Sequence, residues 1–318
     1  MRVLLWHVHG AWTTSVAHGD HDLLVPVLPD RGPDGRGRAR TYAWPERVRE
    51  VAPEELADEP VDVVVLQRPH ERELAAAWLG RWPGENVAAL YVEHDAPQGR
   101  IAELHHPASG WGIPIAHVTH FNRLMWDCGD APTHVLEHGI PDPGERFTGE
   151  LPRAGVVVNE ARRRGRVTGT DLLLRLRGDG LPIDLFGIDS EVLDGQGDLP
   201  HDELLTALAQ RRAYLHLNRW TSLGLSLIEA MMLGLPVIAL ATTEAPAVLP
   251  PDVALVTNDL DRIAARCRAL LDDPEAAREA GRRCRAHALE RFGLERFLAD
   301  WDRLLDDAVA RCPAARPG

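Results

Sequence analysis

The sequence contains no lysine: all 35 of its basic residues are arginine. Any anion held by side chains must therefore be gripped by guanidinium forks, and otherwise by main-chain amides. Cysteine is scarce too. The four present (Cys128, Cys267, Cys284, Cys312) form no CxxC pair and no secreted-type framework, which excludes a disulfide scaffold and leads us to expect a cytoplasmic protein with free thiols. No apolar run is both long enough and free enough of charge to cross a bilayer, so no integral membrane segment is expected. The opening MRVLLWHVHG is interrupted by His7 and His9 and lacks a small-residue cleavage pattern, so it reads as a first strand rather than a signal peptide. There is no GxGxxG, no GxxxxGK followed by Ser or Thr, and no GxSxG, which removes the usual dinucleotide, P-loop and serine-hydrolase turns. The formal charge of -13 argues against non-specific binding to nucleic acid or an acidic membrane surface, while leaving room for a local basic patch that recruits an anionic ligand. The pairs His7/His9 and His105/His106 have no spaced Cys or carboxylate partners, so no metal site is expected.

What is present is an alternation of short apolar runs and helical segments. Strands are predicted at 3–8, 23–28, 61–66, 87–92, 115–119 and 135–137. After a Pro/Gly-rich joint, EHGIPDPGERFTGELPRAG, a second series follows at 156–158, 183–186, 214–217, 236–240 and 254–256. Helical periodicity fills the intervals, for example at 202–211 and 259–271. Strand and helix alternating twice across a loop-rich joint predicts two doubly wound α/β domains. The stretch 29–40, rich in Gly, Pro and Arg, reads as a mobile surface loop. Near the end, a break at Phe292-Gly293 is followed by Leu294, Phe297, Leu298, Trp301, Leu304 and Leu305 at helical spacing, a stripe that must dock on something.

One stretch poses a chemical question. NRWTSLGLSLIEAMMLGLPVIAL, residues 218–240, is apolar except for a single carboxylate, Glu229, inside a predicted helix. A lone charge there is costly unless it is paired or faces a wet cleft. Thr221 or Ser222 is the expected N-cap, and Gly234 and Pro236 stop the helix near Leu233. A helix that starts at the end of a parallel strand presents free N–H groups to a ligand, and the turn TSLGL is a natural cradle for a diphosphate. On this reading Ser222 and Glu229 share a face about 10 Å apart along the axis, which would set phosphate at the turn and hydroxyls at the carboxylate. A buried Glu satisfied by backbone or by an Arg fits the same residues.

SLGLSLIEAMMLGLPVIAL also resembles the signature of the retaining glycosyltransferases of family 4. The resemblance implies the GT-B fold: two Rossmann-like domains facing a central cleft, with the C-terminal helix crossing back to the first. It divides the chain into an acceptor-side domain, 1–148 plus 294–312, and a donor-binding domain, 151–292. Glu229 matches the glutamate that bonds the ribose, and Ser222, Leu223, Gly224 and Leu225 match the amide turn facing the diphosphate. The family's other glutamate, eight positions earlier, falls on Thr221. TGTDLLLRL, 168–176, resembles the start of the family's phosphate-gripping helix. The family's Lys position is Thr168 here, and its Arg position is Arg163 within the basic run RRRGR, 162–166, which also offers Arg166.

In the first half, the resemblance implies that Gly10 in LWHVHGAWTT approaches the donor phosphate and that His94 in YVEHDAPQG faces the sugar. His120 in VTHFN stands at a third strand end. The expectation is a metal-independent, retaining transferase acting on a nucleoside-diphosphate sugar. It would use no other cofactor and an acceptor that the motifs do not specify, with Arg163, Arg166 and the amides of 222–225 stabilising the leaving diphosphate. Two alternatives remain open: a GT-B protein that only binds a nucleotide sugar, which would explain Thr168 and Thr221, and a sugar-nucleotide epimerase. The Asp20–Asp22 and Asp259–Asp261 pairs imitate the metal motif of the other glycosyltransferase fold, but three-residue matches arise readily in an acidic chain.

Overall fold

The structure, a computed structural model, describes residues 1–312. The chain divides into two compact units: Met1–Ile140 with the segment that begins at Leu294, and Pro141–Gly293. In the first unit β1 (Arg2–Leu5), β2 (Asp22–Pro26), β3 (Val48–Val51), β4 (Val63–Leu66), β5 (Ala88–Glu93), β6 (Ile115–His117) and β7 (Thr133–Val135) form one sheet in the order β3-β2-β1-β4-β5-β6-β7. Every pairing is parallel. Helices α1 (Gly10–Ala17), α2 (Glu71–Leu79) and α3 (His120–Met125) lie between strands. Strand β4, Val-Val-Val-Leu, offers nothing polar to water, so it is stable only with both faces covered; all four residues are wholly buried. Strand β3 escapes a sequence reading because it is a four-residue edge strand, VREV, whose centre is polar.

In the second unit β8 (Leu151–Val157), β9 (Ile183–Phe186), β10 (Arg211–His216), β11 (Val237–Ala239) and β12 (Leu255–Val256) form a sheet in the order β12-β11-β10-β8-β9, again parallel. Its helices are α4 (Ala161–Arg164), α5 (Thr170–Gly178), α6 (His201–Ala209), α7 (Leu225–Leu233), α8 (Ala245–Val248), α9 (Leu260–Asp272) and α10 (Pro274–Arg291). Their ends follow local chemistry. Asp259 and Asp273 cap α9 and α10 by accepting from first-turn N–H groups, Pro274 opens α10, and Gly234 ends α7 in the left-handed conformation. Residues 141–148, placed in the first domain on sequence grounds, pack with this unit instead. The N–H groups of Arg146 and Phe147 donate to Leu233 O (3.1 and 3.0 Å), and that of Thr148 donates to Ala209 O (3.0 Å).

The last helix, α11 (Leu294–Arg311), belongs to the first unit and supplies the partner its stripe requires. Phe297, Trp301, Leu304, Leu305 and Ala308 are buried, and Trp301 meets Trp12 of α1 edge to face at 5.7 Å. The stretch 29–40 is irregular, as expected, but it is tied down by Arg31 forking onto Glu50 at 2.9 and 3.1 Å. No described helix is long and apolar enough to cross a membrane.

Candidate functional site

Strand order in the second sheet reverses between β8 and β10, so the loops leaving these two strands bound the crevice where open α/β sheets hold ligands. The loops, 158–169 and 217–224, touch. Gly169 has φ 75° and lies so near the end of β10 that a Cβ would sit 2.0 Å from Leu217 O; only glycine meets both demands. The N–H groups of Arg219 and Trp220 donate to Val167 O at 2.9 and 3.2 Å. The Arg219 guanidinium forks onto Asp171, in the first turn of α5, at 2.5 and 2.9 Å, and Arg166 reaches the same carboxylate at 3.3 Å. These partners, Arg219 foremost, hold the Asp171 carboxyl below its ordinary range.

Each basic residue predicted here has a neighbour already. Arg163 pairs with Glu160 through Nε at 2.7 Å and again through Nη2. Both side chains are exposed, so water screens the pair and a doubly charged phosphate can displace the carboxylate. Arg166 is 80% exposed and equally available. Thr168, by contrast, is buried, and its hydroxyl is engaged with Gly165 O (3.4 Å) and Thr170 Oγ1 (3.2 Å), so it points no polar group outward. Arg219 was not singled out in the sequence; its only signal was its place directly after a strand end.

The turn before α7 corrects a second expectation. The helix begins at Leu225 with Gly224 as N-cap and no side-chain cap, while the Thr221 hydroxyl donates to Ser222 O at 2.8 Å. Neither Thr221 nor Ser222 caps the helix. Ser222 therefore shares no helical face with Glu229, and the 10 Å axial spacing does not apply. The consequence favours anion binding, because the leading amides of α7 have no side-chain acceptor. Leu223 is buried and anchors the turn, whereas Ser222, Gly224 and Leu225 remain partly accessible. Beneath it lies His216, whose Cε1 would stand 3.4 Å from a Cβ on Gly224; burial lowers its pKa to about 4, so it is neutral.

Glu229 stands one turn beyond Leu225 and is 8% exposed. Its partner is neither backbone nor arginine. His201, the first residue of α6, donates from Nε2 to Glu229 Oε1 at 2.8 Å, and this hydrogen bond raises the His201 pKa against the opposing effect of burial. His201 too was missed, since nothing in PHDELL marks it.

In the first unit, strand order reverses between β1 and β4, and His94 follows β5 at the same carboxyl edge. It is buried, and its Nε2 lies 3.0 Å from Gln67 Oε1, while Gln67 Nε2 donates to Trp6 O at 2.8 Å. That orientation makes Oε1 the acceptor, so His94 carries its proton on Nε2. Burial, reinforced by His9 and His138, holds His94 far below the ordinary histidine range, and it is a neutral ring. His9 lies against it with ring centres 4.0 Å apart, and Trp12 meets it edge-on at 5.0 Å. Wholly buried Glu71 fixes the loop after β4 by accepting from the N–H groups of Gln67 (2.6 Å) and Arg68 (3.1 Å). Gly10 opens α1, and a Cβ there would be 3.1 Å from Tyr42 and 3.3 Å from His7. His120 does not join this group: it is exposed at the start of α3.

Residues 159–302 match the family model described as glycosyl transferase-like. Over 129 residues the chain is 30% identical to the MMP alpha-(1->4)-mannosyltransferase of Mycolicibacterium hassiacum, covering 39% of this chain and 31% of that protein. The chain thus spans about a third of the length of the curated relative it matches. Among solved structures, sucrose-phosphate synthase from Thermosynechococcus elongatus has a TM-score of 0.72 at 14% identity, over 98% of this chain and 99% of that one. Anabaena HepE in complex with UDP has a TM-score of 0.70 at 12% identity, over 96% and 100%. The chain has the GT-B glycosyltransferase fold.

Within that GT-B fold, the second Rossmann-like unit carries all the residues expected at the diphosphate except Gly10. Arg163, Arg166 and Thr168 lie on or beside α4, and Thr221 to Leu225 lead into α7. Segment 160–171 together with Arg219 holds five arginines against two carboxylates, a local excess of positive charge in an acidic GT-B chain.

Proposed function

We propose that this GT-B protein is a metal-independent, retaining glycosyltransferase that takes its sugar from a nucleoside diphosphate. The observation that carries the reading is the direct contact, at the strand-order reversal of the second sheet, between an arginine-bearing loop and a helix start with no side-chain cap. Negative charge grows on the diphosphate as the glycosidic bond breaks. Guanidinium groups from Arg163, Arg166 and Arg219, exchanging their present carboxylate partners for phosphate, stabilise that charge, and the preset amides of 222–225 lower the barrier without having to reorganise. Glu229 accepts from the ribose hydroxyls. In the first unit, neutral His94, its proton fixed on Nε2 by Gln67, serves as an uncharged hydrogen-bonding group in acceptor-side chemistry, and Gly10, packed under Tyr42 and His7, offers its main chain at the start of α1. The Anabaena neighbour crystallised with UDP and the mannosyltransferase relative support a nucleotide-linked hexose as donor. Four unpaired cysteines fit a cytoplasmic setting.

A second reading, binding without transfer, is favoured by one observation: Thr168 is buried and hydrogen-bonded where the resembling family has a phosphate-gripping lysine. Calorimetric titration with uridine, guanosine and adenosine diphosphates, followed by donor turnover with an acceptor panel, separates the two. Transfer is expected to survive EDTA and to yield a product of unchanged anomeric configuration by NMR. Arg219→Ala and Glu229→Ala should each weaken diphosphate binding about tenfold or more, the scale of a lost charge-assisted hydrogen bond. Arg163→Ala should act in the same direction. Unchanged affinity in all three refutes the donor placement, and saturable binding with no turnover selects the second reading.

A further inference from the structure

We propose that His201 is a positioning residue for Glu229, and that the His201–Glu229 pair makes this protein select ribonucleotides over nucleotides that lack the ribose hydroxyls. The inference rests on the donor placement proposed above. Helix α7 is otherwise an apolar element whose residues from Leu227 to Leu233 are all buried. A purely structural position there would be filled at lower cost by another Leu or Met, because an ionised carboxylate among buried apolar groups needs a partner to persist. His201 supplies that partner from a separate element, the first turn of α6, at 2.8 Å from Oε1.

The arrangement fixes one carboxylate oxygen and leaves the other to a ligand. Among the described residues no second cation pairs with Glu229. The side chains of Glu229 and His201 are 11% and 30% exposed, so the pair sits at the margin of the core. Both α6 and α7 follow parallel strands, so both begin at the carboxyl edge of the sheet, the edge from which loops 158–169 and 217–224 also leave. The other charges near His201 are Asp202 and Arg146, which pair with each other at 2.6 Å. Glu229 is thereby left as the direct acceptor for the imidazole. A carboxylate held in this way presents its second oxygen in one direction. A vicinal diol can donate to it, and an analogue without hydroxyls leaves a largely buried acceptor unmet, the situation in which hydrogen-bonding sites discriminate most strongly.

The test uses the full chain and measures affinity for whichever of uridine, guanosine or adenosine diphosphate binds tightest, and for its 2′,3′-dideoxy counterpart. The intact protein should prefer the ribonucleotide by about tenfold or more, the scale of a hydrogen bond to a charged group. Glu229→Ala should abolish the preference. His201→Ala should cut it at least threefold while affinity for the dideoxy form is unchanged, and His201→Gln, which keeps an N–H donor, should restore most of it. Unchanged dideoxy binding shows that each variant is folded, which a merely structural role would not predict alongside lost discrimination. If Glu229→Ala leaves the preference intact, or no diphosphate binds, the donor placement itself is wrong. If Glu229→Ala abolishes the preference but His201→Ala does not, or His201→Ala tightens ribonucleotide binding, the positioning role is overturned and the donor placement stands.

Discussion

Replacing Gly169 by alanine tests the contact on which the donor site depends. Two costs can be separated. A Cβ-bearing residue held in the left-handed conformation, here φ 75°, is destabilised by about 1–2 kcal/mol. The second cost is steric: the new Cβ would lie 2.0 Å from Leu217 O, where ordinary contact begins at 3.4 Å. The start of α5 or the end of β10 must give way by about 1 Å or more in a close-packed region, and overpacking of this kind costs about 1–3 kcal/mol. The sum is about 2–5 kcal/mol. Gly180, beyond the other end of α5, isolates the first cost, because it has φ 83° with nothing within 4 Å of a Cβ. Gly169→Ala should therefore lose about 1–3 kcal/mol more than Gly180→Ala. Urea unfolding followed by circular dichroism reads the difference as a midpoint shift at unchanged slope. Should the two units unfold in separate steps, only one step should move. Diphosphate affinity should fall in Gly169→Ala and hold in Gly180→Ala. Equal losses in the two variants would mean that the loops after β8 and β10 do not meet as described.

Other perturbations probe separate parts of the chain. Asp184, buried between Arg153 (2.8 Å) and Arg211 (2.9 Å), has a lowered pKa because these two partners outweigh the burial that alone would raise it. Its stabilisation is therefore present above its unfolded pKa of about 4 and lost as pH falls through the folded value; Asp184→Asn should flatten the acid limb of stability against pH. By leaving Arg211 buried and unpaired, the same variant should lose about 3–5 kcal/mol in urea unfolding. His201 has a raised pKa, so its contribution is complete below about pH 6.5 and declines as pH rises through the folded value. A pH series of melting curves should show that decline in the parent and not in His201→Gln. Trp301→Ala should cost about 3–5 kcal/mol by emptying the contact between α11 and α1, with limited proteolysis near Leu294 as the readout.

The periodicity of apolar residues already carries the two-sheet architecture. A run such as VVVL has no polar face and belongs to a covered parallel sheet, and the stripe from Phe297 to Leu305 demands a partner that α1 and the first sheet provide. Gly234, Asp259, Asp273 and Pro274 act on their own neighbours, so the helix ends they set are local events that a sequence displays. Glu229 was conspicuous for the same reason: one charge stands out in an apolar helix.

What could not be read locally depends on partners far apart in the chain. The start of α7 moved to Gly224 because the Thr221 hydroxyl found Ser222 O and because Leu223 was drawn into the core, neither of which a capping preference registers. Arg219 and His201 became candidates only when folding set them against Asp171 and Glu229, at 48 and 28 residues' separation. Thr168, at the family's lysine position, proved to be buried with its hydroxyl turned onto Gly165 and Thr170. Sequence alone determined most of the strands and helices, though not edge strand β3 or the start of α7, because hydrophobic period and capping act over a few residues. Only the tertiary structure decided which charges are paired and which remain for a ligand, because an ion pair is a distance between elements and no spacing along the chain measures it.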